Sequence, residues 1–274
     1  MKKRILSIAK YIILISFSIL FLYPFVWLFI SSFKTNSELF ENPWGLPRTF
    51  VFSNYVHAIK EGHLLRYFGN SILITGIAVL VTVLLGSMAS YAISRMKWKL
   101  SKLVYRLFIL GITIPVYAMI IPLFSMFNKT GLINTYWAVI LPHIAISFPV
   151  AILIMTGFMQ SLPQEMEEAA IIDGCNIFQL FFKVIFPVTR SSIVTVAVVS
   201  FIDIWNDLLL PQIFLTDTNK MTLPVGLTEF QGKYMTNYVV LMAAVIITIV
   251  PSIIAYVKLH KNIMEGMIAG AVKG

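Results

Sequence analysis

The sequence predicts an all-α membrane protein with six transmembrane helices. Six apolar segments of roughly 20 residues recur along the chain, and such a helix crosses the ~30 Å hydrocarbon core of a bilayer. Charged residues make up only 12% of the 274 residues and hydrophobic residues 58%, whereas soluble domains carry about 25% charged residues. A single segment in lipid must satisfy its own backbone hydrogen bonds, which favours helix. Residues 1–274 are therefore expected to form one membrane domain without a soluble domain.

The six predicted spans have expected bounds that can be read from the apolar runs. They are Tyr11–Phe33, Ser71–Ile93, Tyr105–Phe127, Trp137–Phe158, Ser192–Leu215 and Tyr238–Val257. Lys2, Lys3 and Arg4 give the first span a cationic start like that of a signal peptide. Its apolar run is too long for a signal peptide, and no small-x-small cleavage site closes it. We therefore expect a retained first helix.

Lysine and arginine are distributed unequally between the two sides of the membrane that these spans define. Fourteen of the 21 lie on the side of the N-terminus, and seven lie on the other side. The bias is strongest in the Arg95–Arg106 connection, which holds five of them. Because positively charged connections stay in the cytoplasm, both termini and the segment 161–187 are predicted to be cytoplasmic. The asymmetry explains the net charge of +9 without a nucleic-acid partner.

Residues 161–187 form a polar, acid-rich stretch that predicts two short helices joined by a bend. Ser161 is the expected N-cap of the first helix, and glutamates at its start would meet the positive end of the helix dipole. Gly174 is expected to end this helix in the left-handed conformation. Asn176 is expected to cap a second helix, Ile177–Ile185.

The surface of this stretch suggests a protein partner. Glu168 and Asp173 offer charge to a basic or dipolar groove, and the small Ala169 and Ala170 would allow a partner to approach closely. The alternative is a helix that lies on lipid headgroups. Such helices favour lysine and arginine on the polar face, whereas this one carries glutamate, so the partner interpretation is favoured.

Several motifs resemble those of one family of membrane proteins. Glu168-Ala169-Ala170, three further residues, Gly174 and a later apolar-Pro pair follow the cytoplasmic coupling motif of ABC importer permeases. The chain is similar over essentially its whole length to carbohydrate-uptake ABC transporter permeases of the maltose and glycerol-phosphate type. The other matching stretches are Tyr91–Arg95, Trp205-Asn206-Asp207 with Pro211, and the tail Gly270–Gly274. Cys175 is a mild departure, because alanine is frequent there in the family.

The resemblance implies the type I ABC importer permease fold, in a bacterial inner membrane. It implies as partners a second homologous permease subunit, two ATPase subunits and an extracytoplasmic sugar-binding protein. Glu168, Ala169, Ala170 and Gly174 would dock onto an ATPase, and we assign Asp173 to the same coupling surface. The outer loop Thr216–Asn237 would face the binding protein, with a plain solvated connector as the alternative.

The sequence contains no catalytic signature. The phosphate-loop motif G-x-x-x-x-G-K-[ST] is absent, and no metal cluster or nucleophile–base–acid set is recognisable. No cofactor is expected, and His143 is interpreted as a satisfied polar residue near the start of the fourth span. We therefore expect a protein that is not an enzyme and receives energy for transport from a partner.

Two acids lie well within a predicted span. Asp203 and Asp207 are four residues apart on the fifth span, hence on one helix face, with Asn206 adjacent. Ionisable residues in membrane helices usually face a cavity or a partner, and carboxylates and amides bind sugar hydroxyls. Two interpretations stay open: the three residues line a substrate path, or they contact the second permease. Prolines in the third and fourth spans favour bent helices around a path.

Two further functions are possible from the sequence. The first is a permease for another solute, such as a peptide or a polyamine. The second is a self-contained secondary transporter or channel, which predicts inverted repeats with broken helices or more charge within the spans. The sequence shows neither feature, and the importer permease is the favoured function.

Overall fold

A computed structural model describes residues 2–60, 63–228, 230 and 237–271. In this part of the chain every regular element is a helix. Four helices are each long and apolar enough to cross a bilayer alone: α1 (Lys2–Ser31), α4 (Leu64–Ser94), α7 (Trp137–Met159) and α14 (Tyr238–Ala271). They confirm the helices predicted for the first, second, fourth and sixth spans, with shifted ends.

The third predicted span is a broken helix. It consists of α5 (Ser101–Gly111), a 3-10 turn at Val116–Met119 and α6 (Ile120–Lys129), and its two parts meet at 88°. Pro115 precedes the 3-10 turn with extended backbone, φ −70° and ψ 105°, and proline cannot donate the N–H that a continuous helix needs. The prediction of bent helices is confirmed here, whereas one continuous helix over Tyr105–Phe127 is wrong.

The fifth predicted span is also interrupted. Helix α11 (Arg190–Trp205) ends before Asn206, and α12 (Leu209–Phe214) starts after Leu208. The prediction of one helix over Ser192–Leu215 is therefore wrong. Helix α11 and the preceding helical stretch Ile177–Val188 are together long and apolar enough to form one bent span, and the bend between them is 75°. The described residues thus contain four candidate spans, or up to six if each bent pair counts as one.

The remaining elements are short. They are α2 (Asn36–Glu41), α3 (Ser53–Lys60), α8 (Glu165–Ile172), α9 (Ile177–Gln179), a π-helical turn at Leu180–Ile185, α10 (Phe186–Val188), a 3-10 turn at Thr218–Lys220 and α13 (Leu223–Thr228). Residues 229 and 231–236 of the predicted outer loop, and residues 272–274 of the predicted tail, lie outside the described residues.

The chain divides into two compact units. The first comprises residues 1–66 and 226–250. Its centre is Lys34, whose fully buried ammonium donates to the carbonyls of Asn42 at 2.8 Å and Pro43 at 3.2 Å. Asn54 donates to the carbonyls of Ser32 and Lys34. These bonds hold α2 and α3 to the end of α1.

The second unit comprises residues 67–225 and 251–274. Helix α7 packs against α5, α11 and α12, and it approaches α4 closely at Gly86. A Cβ atom at Gly86 would lie only 3.1 Å from the Cβ of Ala151. Small residues permit such approaches between membrane helices. Helix α7 is thereby the central element on which both candidate sites are built.

Candidate functional site

The segment 161–187 forms the predicted bend, and its centre is Gly174. Its φ of +83° places Gly174 in the left-handed region, which costs other L-residues about 1–2 kcal/mol. The amides of Gly174 and Cys175 donate to the carbonyls of Ile171 and Ala170, both at 3.0 Å, and so close the end of α8. The prediction for Gly174 is confirmed. A side chain here would meet no atom of the described chain within 4 Å of its Cβ.

The helix after the bend starts as predicted, but the helix before it does not. Asn176 Oδ1 accepts from the amide of Gln179 at 2.9 Å, and the Gln179 side chain accepts from the amide of Asn176 at 3.0 Å. This reciprocal capping box confirms Asn176 as an N-cap. Helix α8 begins at Glu165, so Ser161 as its cap is wrong. The Ser161 hydroxyl instead donates to the carbonyl of Phe158 at 2.7 Å, a local bond at the end of α7 that competes with capping.

The predicted coupling residues divide into an exposed set and one buried member. Glu168, Ala169, Asp173 and Gly174 are exposed. Ala170 is only 8% exposed and belongs to a buried cluster of this chain. The small size of Ala170 therefore permits close packing within the subunit, contrary to the expectation that its side chain faces a partner.

The buried cluster around Ala170 attaches the segment to the membrane helices. It contains Tyr91, Met159, Ala170, Leu180, Phe181 and Ile185, and the Tyr91 and Phe181 rings lie 5.5 Å apart. On the outside of the segment, Ile172 is 85% and Phe178 66% exposed. The exposed acids thus lie beside large apolar side chains, a combination typical of a surface that binds another protein or a membrane.

Arg95 contributes a second attachment to this segment. Its side chain is 6% exposed and forms an ion pair with Glu167 of α8. It also donates to the carbonyls of Leu162 at 3.0 Å and Pro163 at 3.2 Å. In the sequence, Arg95 is recognisable only as one of the positive charges of the Arg95–Arg106 connection and as the end of the matching stretch Tyr91–Arg95. Its pairing with Glu167, 72 residues away, depends on the packing of α4 against α7.

The second candidate site is a cavity of about 750 Å³ in the second unit. It lies between the break in the third span, α7, the end of α11 and the start of α12. Asp203, Asn206 and Asp207 all line it, so the structure brings the three predicted path residues together. The other lining residues are Pro115, Val116, Tyr117, His143, Ile146, Ile202, Leu208, Leu209 and Leu210. Among the described residues, no group of three or more His, Cys, Asp and Glu side chains could hold a metal ion.

Asp207 has a local structural role in addition to lining the cavity. Its Oδ1 accepts from the amide of Leu209 at 3.1 Å and its Oδ2 from the amide of Leu210 at 3.2 Å. Asp207 directly precedes the N-cap residue Leu208, and its carboxylate satisfies the first two amides of α12, where it also meets the helix dipole. An aspartate just before an apolar run, with a proline in the first helical turn, is a helix-start signal, so the break could have been found from the sequence.

His143 of α7 lies against the same carboxylate. Its Nε2 atom is 3.3 Å from Asp207 Oδ2, at ion-pair distance but without hydrogen-bond alignment. The sequence predicts His143 to be a satisfied polar residue, which is wrong for its Nε2 atom, because this buried atom has no hydrogen-bond partner among the described residues. The place of His143 at the cavity is visible only in the fold.

Asp203 differs from Asp207 in its surroundings. Asp203 is exposed in the last turn of α11, whereas the Asp207 side chain is only 12% exposed. Asn206 is exposed too, and its amide donates to the carbonyl of Ile202 at 2.8 Å. Trp205 between them is 2% exposed and packs against Phe68 and Phe201. Asp203 is therefore the more accessible of the two carboxylates that line the cavity.

Both helix breaks border the cavity. Pro115 and Tyr117 come from one break, and Asn206 and Leu208 from the other. Non-helical backbone at membrane depth is tolerated where it lines a water-filled cavity. No broken helices were expected from the sequence, and this argued against a secondary transporter. The two breaks show that this expectation is wrong, so it no longer distinguishes an importer permease from a secondary transporter.

Comparison with known families distinguishes an importer permease from a secondary transporter. Residues 82–263, more than half of the chain, match the family described as "Binding-protein-dependent transport system inner membrane component". The chain belongs to this family. The matched range contains segment 161–187, Arg95 and every residue around the cavity. This inner membrane component is therefore a multi-pass protein of a transport system, as the motifs predict.

Relatives of this inner membrane component are permeases of sugar transporters. It is 32% identical to the diacetylchitobiose uptake system permease protein NgcG of Streptomyces coelicolor, over 98% of this chain and 90% of that protein. It is also 32% identical to the trehalose/maltose transport system permease protein MalG of Thermococcus litoralis, over 99% of this chain and 98% of that protein.

A solved structure shows the same fold. The chain matches a chain of a bacterial ABC transporter involved in the import of the acidic polysaccharide alginate, with a TM-score of 0.83. The match covers 95% of this chain and 97% of that chain at 22% identity. The chain therefore shares the fold of that transporter chain.

Proposed function

We propose that residues 1–274 form the permease domain of an ATP-driven, binding-protein-dependent carbohydrate importer in a bacterial cytoplasmic membrane. Its partners would be a second homologous permease, two ATPase subunits and an extracytoplasmic sugar-binding protein. Both termini would be cytoplasmic, with six spans of which the third and fifth are bent. The observation that carries the proposal is the family match, because the matched residues include both candidate sites. The names of the relatives support carbohydrate as the solute.

The exposed face of segment 161–187 would dock onto an ATPase subunit. Glu168 and Asp173 would supply charge, while Ile172 and Phe178 would supply apolar area. Large exposed apolar side chains are costly in water and gain free energy when a partner covers them, at roughly 25 cal/mol per Å². Ala169 and Gly174 keep the bend thin, so that a partner can reach its backbone.

The cavity would form this subunit's part of the solute path. Its volume of about 750 Å³ lies within the ~300–1,000 Å³ range of small-molecule sites. Asp203 and Asn206 supply exposed oxygen and amide groups that suit hydroxyl-rich solutes, and the exposed ring of Tyr117 offers an apolar face to a sugar ring. Two carboxylates in the lining disfavour anionic solutes by repulsion.

A cationic solute such as a polyamine is the second candidate. The observation that favours it is the same pair of carboxylates, Asp203 and Asp207, which would attract an ammonium group. Peptides would be accommodated less directly, because their terminal carboxylate would meet these acids.

A deletion strain tests the solute class. The gene for this chain is deleted, and uptake is measured for a panel of labelled neutral oligosaccharides, for labelled spermidine and for a labelled tripeptide. We expect uptake of at least one saccharide to disappear and to return when the gene is restored. Loss of spermidine or tripeptide uptake with normal saccharide uptake would replace the carbohydrate proposal by the corresponding alternative.

A further inference from the structure

Arg95 contacts the two elements on either side of the turn that leads into the coupling segment. On one side it donates to the carbonyls of Met159 at 3.4 Å and Leu162 at 3.0 Å, at the end of α7. On the other side it donates to the carbonyl of Pro163 at 3.2 Å and pairs with Glu167 in the first turn of α8. The backbone of Arg95 itself directly follows α4. One side chain thus ties together the ends of three helices.

The chemistry of this contact favours rigidity. Guanidinium presents a planar fork of N–H donors, and hydrogen bonds from a charged group are roughly twice as strong as neutral ones. The side chains of Arg95 and Glu167 are only 6% and 15% exposed, so water screens their attraction weakly. Removing one partner of such a buried ion pair is strongly destabilising, because the other charge is left buried and unpaired. Residues Gln160–Gln164 would otherwise be an irregular turn that could act as a hinge.

We propose that Arg95 is a positioning residue that couples the segment 161–187 to the cavity. Through Arg95, displacement of α8 is passed to α7, which carries His143 and Ile146 at the cavity, and to α4. The inference rests on the proposed function, because it assumes that an ATPase moves α8. It adds a specific intrachain transmission element to that function.

The apolar attachment makes this role separable from folding. Tyr91, Met159, Leu180 and Phe181 still hold the segment when the guanidinium is removed. Apolar contacts are non-directional, so they keep segment 161–187 attached to the membrane helices without fixing its orientation. A variant at Arg95 is therefore expected to assemble and yet transmit motion poorly.

Matched variants distinguish the role of the planar guanidinium group of Arg95 from the role of its positive charge. Arg95→Lys keeps the charge but cannot reach the four acceptors at once, and Glu167→Gln removes the ion pair but leaves the three carbonyl bonds. The control is Lys97→Ala, in the same connection and outside the segment proposed to dock. Lys97 is exposed, and its replacement removes a positive charge while leaving every contact of Arg95 in place.

The experiment uses the full transporter in proteoliposomes and nanodiscs. Uptake of the labelled saccharide that depends on this chain and ATP hydrolysis are measured together, and their ratio is compared. For Arg95→Lys we expect saccharide moved per ATP to fall about fivefold or more, the lower end of typical coupling between sites, with a smaller fall for Glu167→Gln. Hydrogen exchange of the amides at 160–175 should be faster in both variants, and Lys97→Ala should match the wild type in exchange and in the ratio.

The outcomes are distinct. An unchanged ratio in both variants, or uptake and hydrolysis that fall together in proportion to assembled complex, overturns the proposal. If the wild-type transporter does not link hydrolysis to saccharide uptake, the proposed function fails instead. Exchange at 160–175 then still decides whether Arg95 holds the segment: faster exchange in Arg95→Lys but not in Lys97→Ala supports the contact, and equal exchange overturns it.

Discussion

His143 Nε2 lies 3.3 Å from Asp207 Oδ2, and the two side chains are 7% and 12% exposed. The same carboxylate accepts from the amides of Leu209 and Leu210. A residue of α7 thereby meets the break that precedes α12. The wall of the cavity is consequently fixed by a contact between two elements, and a change at Asp207 affects both the helix start and the buried imidazole.

Substitution of Asp207 should show this double role. Asp207→Asn keeps one acceptor oxygen for the first turn of α12 and loses the other, so assembly should persist with an altered transport rate or affinity. Asp207→Leu removes both acceptors, at a cost of about 1 kcal/mol as for the loss of a capping side chain, and should reduce transport more. Uptake per assembled complex and thermal unfolding check both. If both variants instead lose the partner permease in pull-down, with unchanged uptake per complex, the residue belongs to the subunit interface.

Asp203 should affect solute selection without affecting the fold. Its side chain is exposed at the cavity, so Asp203→Asn should assemble normally and shift the affinity of saccharide uptake. Asp203→Lys reverses the charge at the cavity and should weaken uptake of a neutral saccharide only moderately, while abolishing uptake of spermidine if that is the solute. Concentration-dependent uptake measures the effect. Wild-type kinetics in both variants would remove Asp203 from the path.

Two substitutions of Gly174 separate its role in docking from its role in the backbone conformation of the bend. Asparagine adopts positive φ more readily than other non-glycine residues, and the structure leaves room for its Cβ. Gly174→Asn should therefore insert and fold, and a loss of uptake in this variant would report a clash with a partner. Gly174→Trp should lose uptake more completely, since its bulk would project outward from the bend. Retention of ATPase subunits and normal uptake by Gly174→Trp would contradict docking at this bend.

Reporter fusions test the orientation. A reporter that is active only outside the cytoplasm should be silent when fused after Gly274 and active when inserted at Asn219. The physical reason is the excess of lysine and arginine on the side of the N-terminus. A fusion in the Arg95–Arg106 connection serves as a second cytoplasmic control and should be silent too. The opposite pattern would invert the topology and remove segment 161–187 from the ATPase.

The sequence predicts local features well where a few neighbouring residues decide them. Gly174 and Asn176 behave as expected, because left-handed backbone and helix capping depend on residues within one turn. The break at Asn206–Leu208 depends equally on local signals, Asp207 and Pro211, but these lie within an apolar run whose length suggests an unbroken span. Hydrophobicity reports the surroundings of a segment rather than its continuity, so both broken spans were predicted as single helices.

By itself, the sequence determined that this chain is a helical membrane protein with a polar segment at 161–187 and two acids in its fifth apolar segment. Composition, apolar length and turn chemistry are local properties that can be read in chain order. The tertiary structure alone decided that Arg95 holds Glu167, that His143 lies against Asp207 and that Ala170 faces inward. Each of these depends on residues more than 60 positions apart, or on which face of a short helix packs inward, and such relationships arise only when the helices pack together.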